Sequence, residues 1–193
     1  MEADWEIEID GTAPVIDAHW AGFVDLRVNS DLASHLLETA ELPDLATTLV
    51  RLNAPSSPVW TSKCDVWQPE AFDPDELDAP AGENAAVACY IDLLPTDNRR
   101  WFSHESAINW SKLVCRQLRC RTLCSCRADM IVRRAVLTAL ARPDQLDLGV
   151  TAYLTACGPT RVATVATLSS ALAVFADSIA NTDFPESADS KLQ

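Results

Sequence analysis

The sequence has little glycine and little positive charge. Five of its 193 residues are glycine, and no glycine-rich phosphate-binding or nucleophile-elbow pattern occurs. Lysine and arginine total 15 against 28 aspartate and glutamate residues, which gives a formal net charge of −13. Since basic surface supplies most of the affinity in nucleic-acid binding, this balance argues against a general nucleic-acid-binding protein.

Signals for export and membrane insertion are also missing. Residues 1–10 are acidic and alternate apolar with charged side chains, whereas a secretory signal has a basic start and an unbroken apolar stretch. The most apolar run, near residues 163–176, contains threonine and serine and is shorter than the roughly 20 apolar residues that cross a bilayer. We therefore expect a cytoplasmic protein without a membrane partner.

The cysteines do not have the spacing of a metal site. Four of the seven cluster in residues 115–126, namely Cys115, Cys120, Cys124 and Cys126. Zinc sites usually combine two C-x2-4-C pairs separated by a loop, a pattern that these four do not form. We expect small buried apolar side chains in a reducing compartment, with no metal or other cofactor. Cys120 has arginines as neighbours in the sequence, so it is the best candidate for a reactive thiol.

Period-two alternation and helical spacing are well represented in this chain. Alternating apolar residues predict strands near residues 5–9, 20–28, 59–67, 86–94, 122–132 and 148–157. Spacings of three and four predict helices over residues 43–52, after Ser103, and after Thr160. Residues 133–141 fit either a longer fifth strand or a short helix. We expect one α+β domain over residues 1–181 and a flexible C-terminal tail over residues 182–193.

The order of these elements suggests three ββα repeats. Residues 21–26, 88–93 and 151–156 resemble one another, which favours internal duplication. The predicted fold is a mainly antiparallel sheet of about six strands with three helices on one face, with a ferredoxin-like order in its middle. Residues 68–84 form a long acidic, proline-containing loop between two strands, and loops of this length are often functional.

Strand alternation places one mixed set of side chains on the sheet face without helices. It joins carboxylates, cations and phenols, and its candidate binding residues are Asp25, Lys63, Asp65, Tyr90, Asp92, Arg127, Asp129 and Tyr153. If the protein is an enzyme, Asp65, Asp129 and Asp92 are its candidate acid and base groups, and Lys63 and Arg127 would bind an anionic group.

Two functions are compatible with this face. The first, which we favour, is a protein-binding or inhibitory, immunity-like module that receives a partner with basic surface. The alternative is a small-molecule enzyme or ligand binder, which a cavity over these residues would favour over a flat or covered face. Packing of the face against a second copy in a homodimer is a third hypothesis.

Charge is distributed unevenly along the chain. Residues 1–97 hold 20 acidic and 3 basic residues, whereas residues 98–145 hold 3 acidic and 10 basic residues. The basic segment either pairs with acidic neighbours inside the fold, which we expect, or binds an anion. Either arrangement predicts that positive and negative charge are unevenly distributed over the molecule.

Overall fold

The computed structural model describes residues 1–96, 104–137 and 147–182 as an α+β fold with a mixed six-stranded sheet. The strands are β1 (Glu2–Glu8), β2 (Ile16–Asp17), β3 (Val59–Trp67), β4 (Ala85–Pro95), β5 (Cys126–Val136) and β6 (Asp147–Gly158). The helices are α1 (Leu37–Glu41), α2 (Pro43–Leu52), α3 (His104–Arg119) and α4 (Arg161–Ala180), with 3-10 turns at Ser30–His35 and Asp75–Leu77.

The sheet has the strand order β1-β5-β6-β4-β3. Three neighbouring pairs, β3–β4, β4–β6 and β5–β6, are antiparallel. Both β1 and β2 run parallel to β5, β2 pairing with the end of β5 beyond β1. The sheet is therefore mixed, where we predicted a mainly antiparallel one, because alternation reports a buried face and not the direction of the neighbouring strand.

The strand predicted over residues 20–28 is wrong, since this segment consists of turns. Gly22 adopts a φ of 105°, and the Asp25 carboxylate accepts a hydrogen bond from the Arg27 backbone N–H at 3.0 Å. Aspartate and glycine stabilise turns in these two ways. The first predicted ββα unit therefore lacks the second strand that we expected at residues 20–28. The internal duplication and the ferredoxin-like order stay predictions.

The remaining predicted strands, and the helices that begin near Pro43 and after Thr160, are confirmed with small shifts in their ends. The fifth strand starts at Cys126 and continues to Val136, so the first part of the ambiguous segment is strand. The rest of that segment, from residue 138, lies outside the described residues. So do Ser103, the predicted cap of α3, and residues 183–193 of the predicted tail.

The main core lies between one face of the sheet and helices α2, α3 and α4. Alternate residues of β4, β5 and β6 face these helices, which contribute the fully buried Leu49, Trp110 and Phe175. Among the described residues, α4 is the one helix that is long and apolar enough to cross a membrane by length and composition. Its buried side chains, including Leu168 and Leu172, belong to this core.

Two small apolar clusters hold chain segments against the other face of the sheet. At one end, Ile16 of β2 packs with Trp60 and Leu94. At the opposite end, Leu77 of the acidic loop packs with Ala86 and Cys157. The face is therefore covered at both ends and open between them.

Gly149 allows the segment around β2 to lie close to the sheet. A Cβ atom at this position would lie 2.7 Å from Ile16 Cδ1, 2.9 Å from Leu94 Cδ2 and 3.0 Å from the Leu93 carbonyl oxygen. These separations are shorter than ordinary carbon contacts, so the packing of β2 on β6 requires a residue without a side chain.

We expect Gly149→Ala to lower the free energy of unfolding by about 1–3 kcal/mol, because overpacking displaces both side chains and strand. Urea denaturation followed by circular dichroism measures the change. Gly11→Ala is the matched control, since its added Cβ would meet no atom within 4 Å. An equal loss in both variants, or no loss at Gly149, would contradict this account of the packing.

Candidate functional site

The sheet face opposite the helices, which we call the open face, carries an aligned row of polar side chains. The strand register places Asp4, Asp129, Tyr153, Tyr90 and Asp65 next to one another, one from each of the five long strands. Adjacent strands lie about 4.8 Å apart, so the row crosses the whole sheet. Side chains that are far apart in the sequence thus form one continuous surface.

Three aromatic rings form the centre of the open face. The ring centroids of Tyr90 and Tyr153 are 5.9 Å apart, and Trp67 lies 6.2 Å from each of them. These are ordinary separations for aromatic pairs that stabilise each other through tilted and edge contacts. The cluster divides the open face into two clefts, and Tyr153 lines both.

The first cleft, which we call the acidic cleft, has a volume of about 510 Å³ and lies between the sheet and the acidic loop. The loop contributes Phe72, Asp73 and Glu76. The strands contribute Asp4, Glu6, Trp67, Ala88, Arg127, Asp129, Ile131, Tyr153 and Thr155. A volume of this size is within the range of about 300–1,000 Å³ that is usual for ligand pockets.

Negative charge dominates the acidic cleft, where five carboxylates accompany one guanidinium group. That group, Arg127, is paired with Asp129 at 2.8 Å. Burial raises the pKa of Asp129, and the hydrogen bond and charge of Arg127 oppose the rise. With its single cation already paired, the cleft presents net negative charge beside aromatic surface.

The second cleft, which we call the β2 cleft, has a volume of about 350 Å³. One wall is the segment that includes Ile16, Asp17 and Trp20. Its remaining lining residues come from the sheet and are Lys63, Tyr90, Asp92, Arg133, Thr151 and Tyr153. Both charge signs occur here in equal number, unlike in the acidic cleft.

A polar network runs beneath the β2 cleft across four strands. The Glu8 carboxylate accepts hydrogen bonds from Arg133 Nη2 at 2.7 Å and Nε at 3.1 Å. Arg133 Nη1 donates to Thr151 Oγ1 at 3.3 Å and to the Tyr153 hydroxyl at 3.2 Å. Thr151 Oγ1 donates in turn to Asp92 Oδ1 at 2.6 Å. The network fixes the orientation of these groups.

Asp92 is the least solvated carboxylate of the open face, with 9% of its surface exposed. Burial raises its pKa, and the Thr151 hydrogen bond and the charges of Arg133 and Lys63 oppose this rise. The pKa of the Tyr90 phenol is also raised, first by burial and then by Asp92. Both groups therefore favour their neutral forms more than they would in water.

The structure brings most of the predicted site residues onto the open face, where Asp65, Tyr90, Asp92, Arg127, Asp129 and Tyr153 lie. Lys63 lies at the β-bulge of β3 and lines the β2 cleft, with its Nζ atom 5.7 Å from the centre of the Trp20 ring. Asp25 is not on the sheet, because it lies in a turn and pairs with Arg27 at 2.7 Å.

The proposed acid–base pair is not brought together. Asp65 and Asp129 are separated by three strand spacings, about 14 Å, with both tyrosines between them. The two proposed anion-binding cations line different clefts. The face therefore does not place these groups around one reacting centre.

Several site residues were not predicted from the sequence, among them Glu8, Arg133 and Trp67. Glu8 and Arg133 form the ion pair of the network, and Trp67 belongs to the aromatic centre. Arg133 could have been found from strand alternation, because in a strand that continues to Val136 it lies on the same face as Arg127 and Asp129. The partnership with Glu8 has no local signal, because it depends on the parallel pairing of β1 with β5.

Three of the seven described basic residues of the basic segment are paired with carboxylates. Arg119, Arg127 and Arg133 pair with Asp4, Asp129 and Glu8 at 3.4, 2.8 and 2.7 Å. Two of these pairs join the segment to the acidic N-terminal strand. Acidic residues of β1 thus form ion pairs with basic residues of its neighbours α3 and β5.

The four clustered cysteines are divided between buried and exposed positions. Burial raises the pKa of Cys115 to about 12 and that of Cys126 to about 11, whereas Cys120 and Cys124 are exposed. In the part of the chain that the structure describes, no group of three histidine, cysteine, aspartate or glutamate residues is arranged to hold a metal ion.

Comparisons of the chain with protein-family models, curated protein sequences and solved structures gave no match.

We expect Asp92→Asn to become more stable relative to the unmodified protein as pH rises above the ordinary aspartate pKa of 3.8. A carboxyl whose pKa is raised by folding binds its proton more tightly in the native state, so its contribution to stability falls with increasing pH. Asp92→Asn has no such carboxyl, so its stability does not fall with pH for this reason. Urea unfolding from about pH 3 to about pH 7 measures the difference.

Asp25→Asn is the control of opposite sign. The Arg27 hydrogen bond lowers the pKa of Asp25, so its stabilising contribution is present above pH 3.8 and is lost as pH falls. Relative to the unmodified protein, this variant should lose stability as pH rises. Parallel pH dependence in the two variants would contradict the assigned burial of Asp92.

Proposed function

We propose that this protein is a cytoplasmic binding module that receives a positively charged segment of a partner protein in its acidic cleft. The observation that carries the proposal is a cleft of about 510 Å³ with five carboxylates around one already paired arginine, beside aromatic surface. An extended segment bearing lysine or arginine complements both the negative charge and the aromatic surface of this cleft.

The charge pattern supports recognition of a basic partner in two ways. Long-range attraction by a chain of net charge −13 increases the rate of encounter with basic surface. At close range, the carboxylates of Asp73 and Glu76 can accept hydrogen bonds from the bound cations. The rings of Trp67 and Tyr153 can contact the apolar stems or the cationic heads of the same side chains.

The same pattern argues for a different protein, and not a second copy of this chain, as the partner. Packing two acidic clefts against each other would bring like charges together, which is unfavourable across a desolvated interface. A partner whose own active surface is basic would be blocked on binding. The inhibitory, immunity-like form of the proposal follows from that chemistry.

Small-molecule binding is the second candidate function, and one observation favours it. The open face is not flat, since two clefts of ligand size lie over its polar residues. The catalytic version has less support, because Asp65 and Asp129 lie too far apart to share one substrate bond as acid and base. The β2 cleft is the better small-molecule site of the two, since it is lined by residues of both charges.

We expect charge reversal in the acidic cleft to abolish capture of the partner. The unmodified chain, an Asp73→Lys/Glu76→Lys variant and an Asp44→Lys/Glu105→Lys control would each be immobilised and exposed to extract of the source cells. Quantitative mass spectrometry of the retained proteins is the measurement. Asp44 and Glu105 are exposed in the first turns of α2 and α3, so the control changes the net charge equally without touching the cleft.

A basic protein retained in stoichiometric amount by the unmodified chain and by the control, and reduced at least about tenfold by the cleft variant, supports the proposal. Raising the salt from about 0.1 M to about 0.5 M should release it, because exposed charges are screened over a shorter distance. Equal retention by the cleft variant, or retention that salt does not change, would contradict the proposal.

A further inference from the structure

The β2 cleft is a second concave site on the open face, separated from the acidic cleft by the aromatic centre. We infer that the β2 cleft binds a small zwitterion, with the ammonium group of the ligand on Asp92 and its carboxylate toward Lys63. This inference concerns a site other than the one to which the partner is assigned, so either can fail without the other.

Asp92 provides the binding point for the ammonium group. Its carboxylate lines the cleft although the residue is about nine-tenths buried. Among the described residues, it accepts one side-chain hydrogen bond, from Thr151 to Oδ1, and has no ion pair within 4 Å. Burial disfavours the charge of this carboxylate, and the charges of Arg133 and Lys63 offset the effect only in part. A ligand ammonium group in contact with Asp92 would add a close positive charge and hydrogen-bond donors.

Arg133 does not fill this role, although its guanidinium lies in the same network. Glu8 accepts hydrogen bonds from two of its nitrogen atoms, and the third donates to Thr151 and Tyr153. Its positive charge is therefore matched by Glu8. The network orients Thr151, and thereby Asp92, without neutralising Asp92 directly.

Lys63 provides the opposite charge in the lining of the cleft. The bulge of β3 turns this exposed residue toward the segment that contains Trp20, and its Nζ atom lies 5.7 Å from the centre of that ring. Trp20 is held in place by a hydrogen bond from Nε1 to the Ser62 carbonyl oxygen at 3.2 Å. In the described part of the chain, Lys63 has no carboxylate within ion-pair distance, so its ammonium group is available to an anionic ligand group.

The size and charge balance of the cleft select for a small molecule that carries both charges. Its volume of about 350 Å³ is at the lower end of the range for ligand pockets. With Arg133 matched by Glu8, the lining presents Asp17 and Asp92 beside Lys63, so a ligand with both an ammonium group and a carboxylate complements it better than an ion of one sign. The rings of Tyr90 and Tyr153 also line the cleft and would contact the carbon chain of an amino-acid-like ligand.

The test uses small probes that differ in charge. Three zwitterions of increasing length (glycine, 4-aminobutyrate and 6-aminohexanoate) are compared with butylamine and butyrate, each titrated into the 15N-labelled full chain. Amide chemical shifts of Tyr90, Asp92 and Thr151 report binding. We expect at least one zwitterion to bind in the millimolar range or better, and both single-charge probes to bind at least about tenfold more weakly.

Variants at Asp92 and Lys63 then test whether these residues bind the ammonium and carboxylate ends of the ligand. Asp92→Asn and Lys63→Gln should each weaken binding of the best zwitterion by about tenfold or more, whereas Asp44→Asn, which removes an exposed carboxylate in the first turn of α2, should leave it unchanged. Lys63→Gln changes an exposed side chain, so its result does not depend on tolerance of substitution at the buried position.

Three results would overturn the inference. They are the absence of shifts with every zwitterion at about 10 mM, equal binding of butylamine or butyrate, and unchanged affinity in both Asp92→Asn and Lys63→Gln. Capture of a basic protein by the acidic cleft would be unaffected by any of them, so failure of this inference is distinguishable from failure of the proposed function.

Discussion

The strict alternation of side chains along β4, β5 and β6 is the constraint on which the rest of the molecule depends. One set of alternate residues is apolar and is buried beneath α2, α3 and α4. Because the helices cover this face, the other set must line the opposite face, whatever its polarity. The row from Asp4 to Asp65 is a consequence of that rule together with the strand register.

The two covering segments turn this polar face into a pair of clefts. Small apolar clusters around Ile16 and Leu77 hold them on the sheet, and Gly149 gives the first segment room to approach. The chemistry of each cleft comes from the sheet and the covering segment together. In one cleft the acidic loop adds two carboxylates to the three from the strands, whereas the other is lined by residues of both charges.

The sequence predicts the elements better than their arrangement. Strands over residues 59–67 and 148–157 are evident from local alternation, and so is the location of Tyr90, Asp92 and Tyr153 on one face. The parallel pairing of β1 with β5 is not local, because it joins residues about 125 positions apart, and the Glu8–Arg133 pair depends on it. Residues 20–28 mimic a strand because turn-forming side chains happen to alternate with apolar ones. Both clefts require the covering segments to be placed, which alternation does not specify.

We propose that the open face is the binding surface of this protein. Hydrogen–deuterium exchange of the full chain, with and without the captured basic partner, tests it most directly, because each peptide reports its own protection. The account predicts slower exchange in residues 69–77 and in the β1 and β5 strands, with the exposed surfaces of α2 and α4 unchanged. Protection confined to the helices, with residues 69–77 exchanging as in the free protein, would contradict the claim.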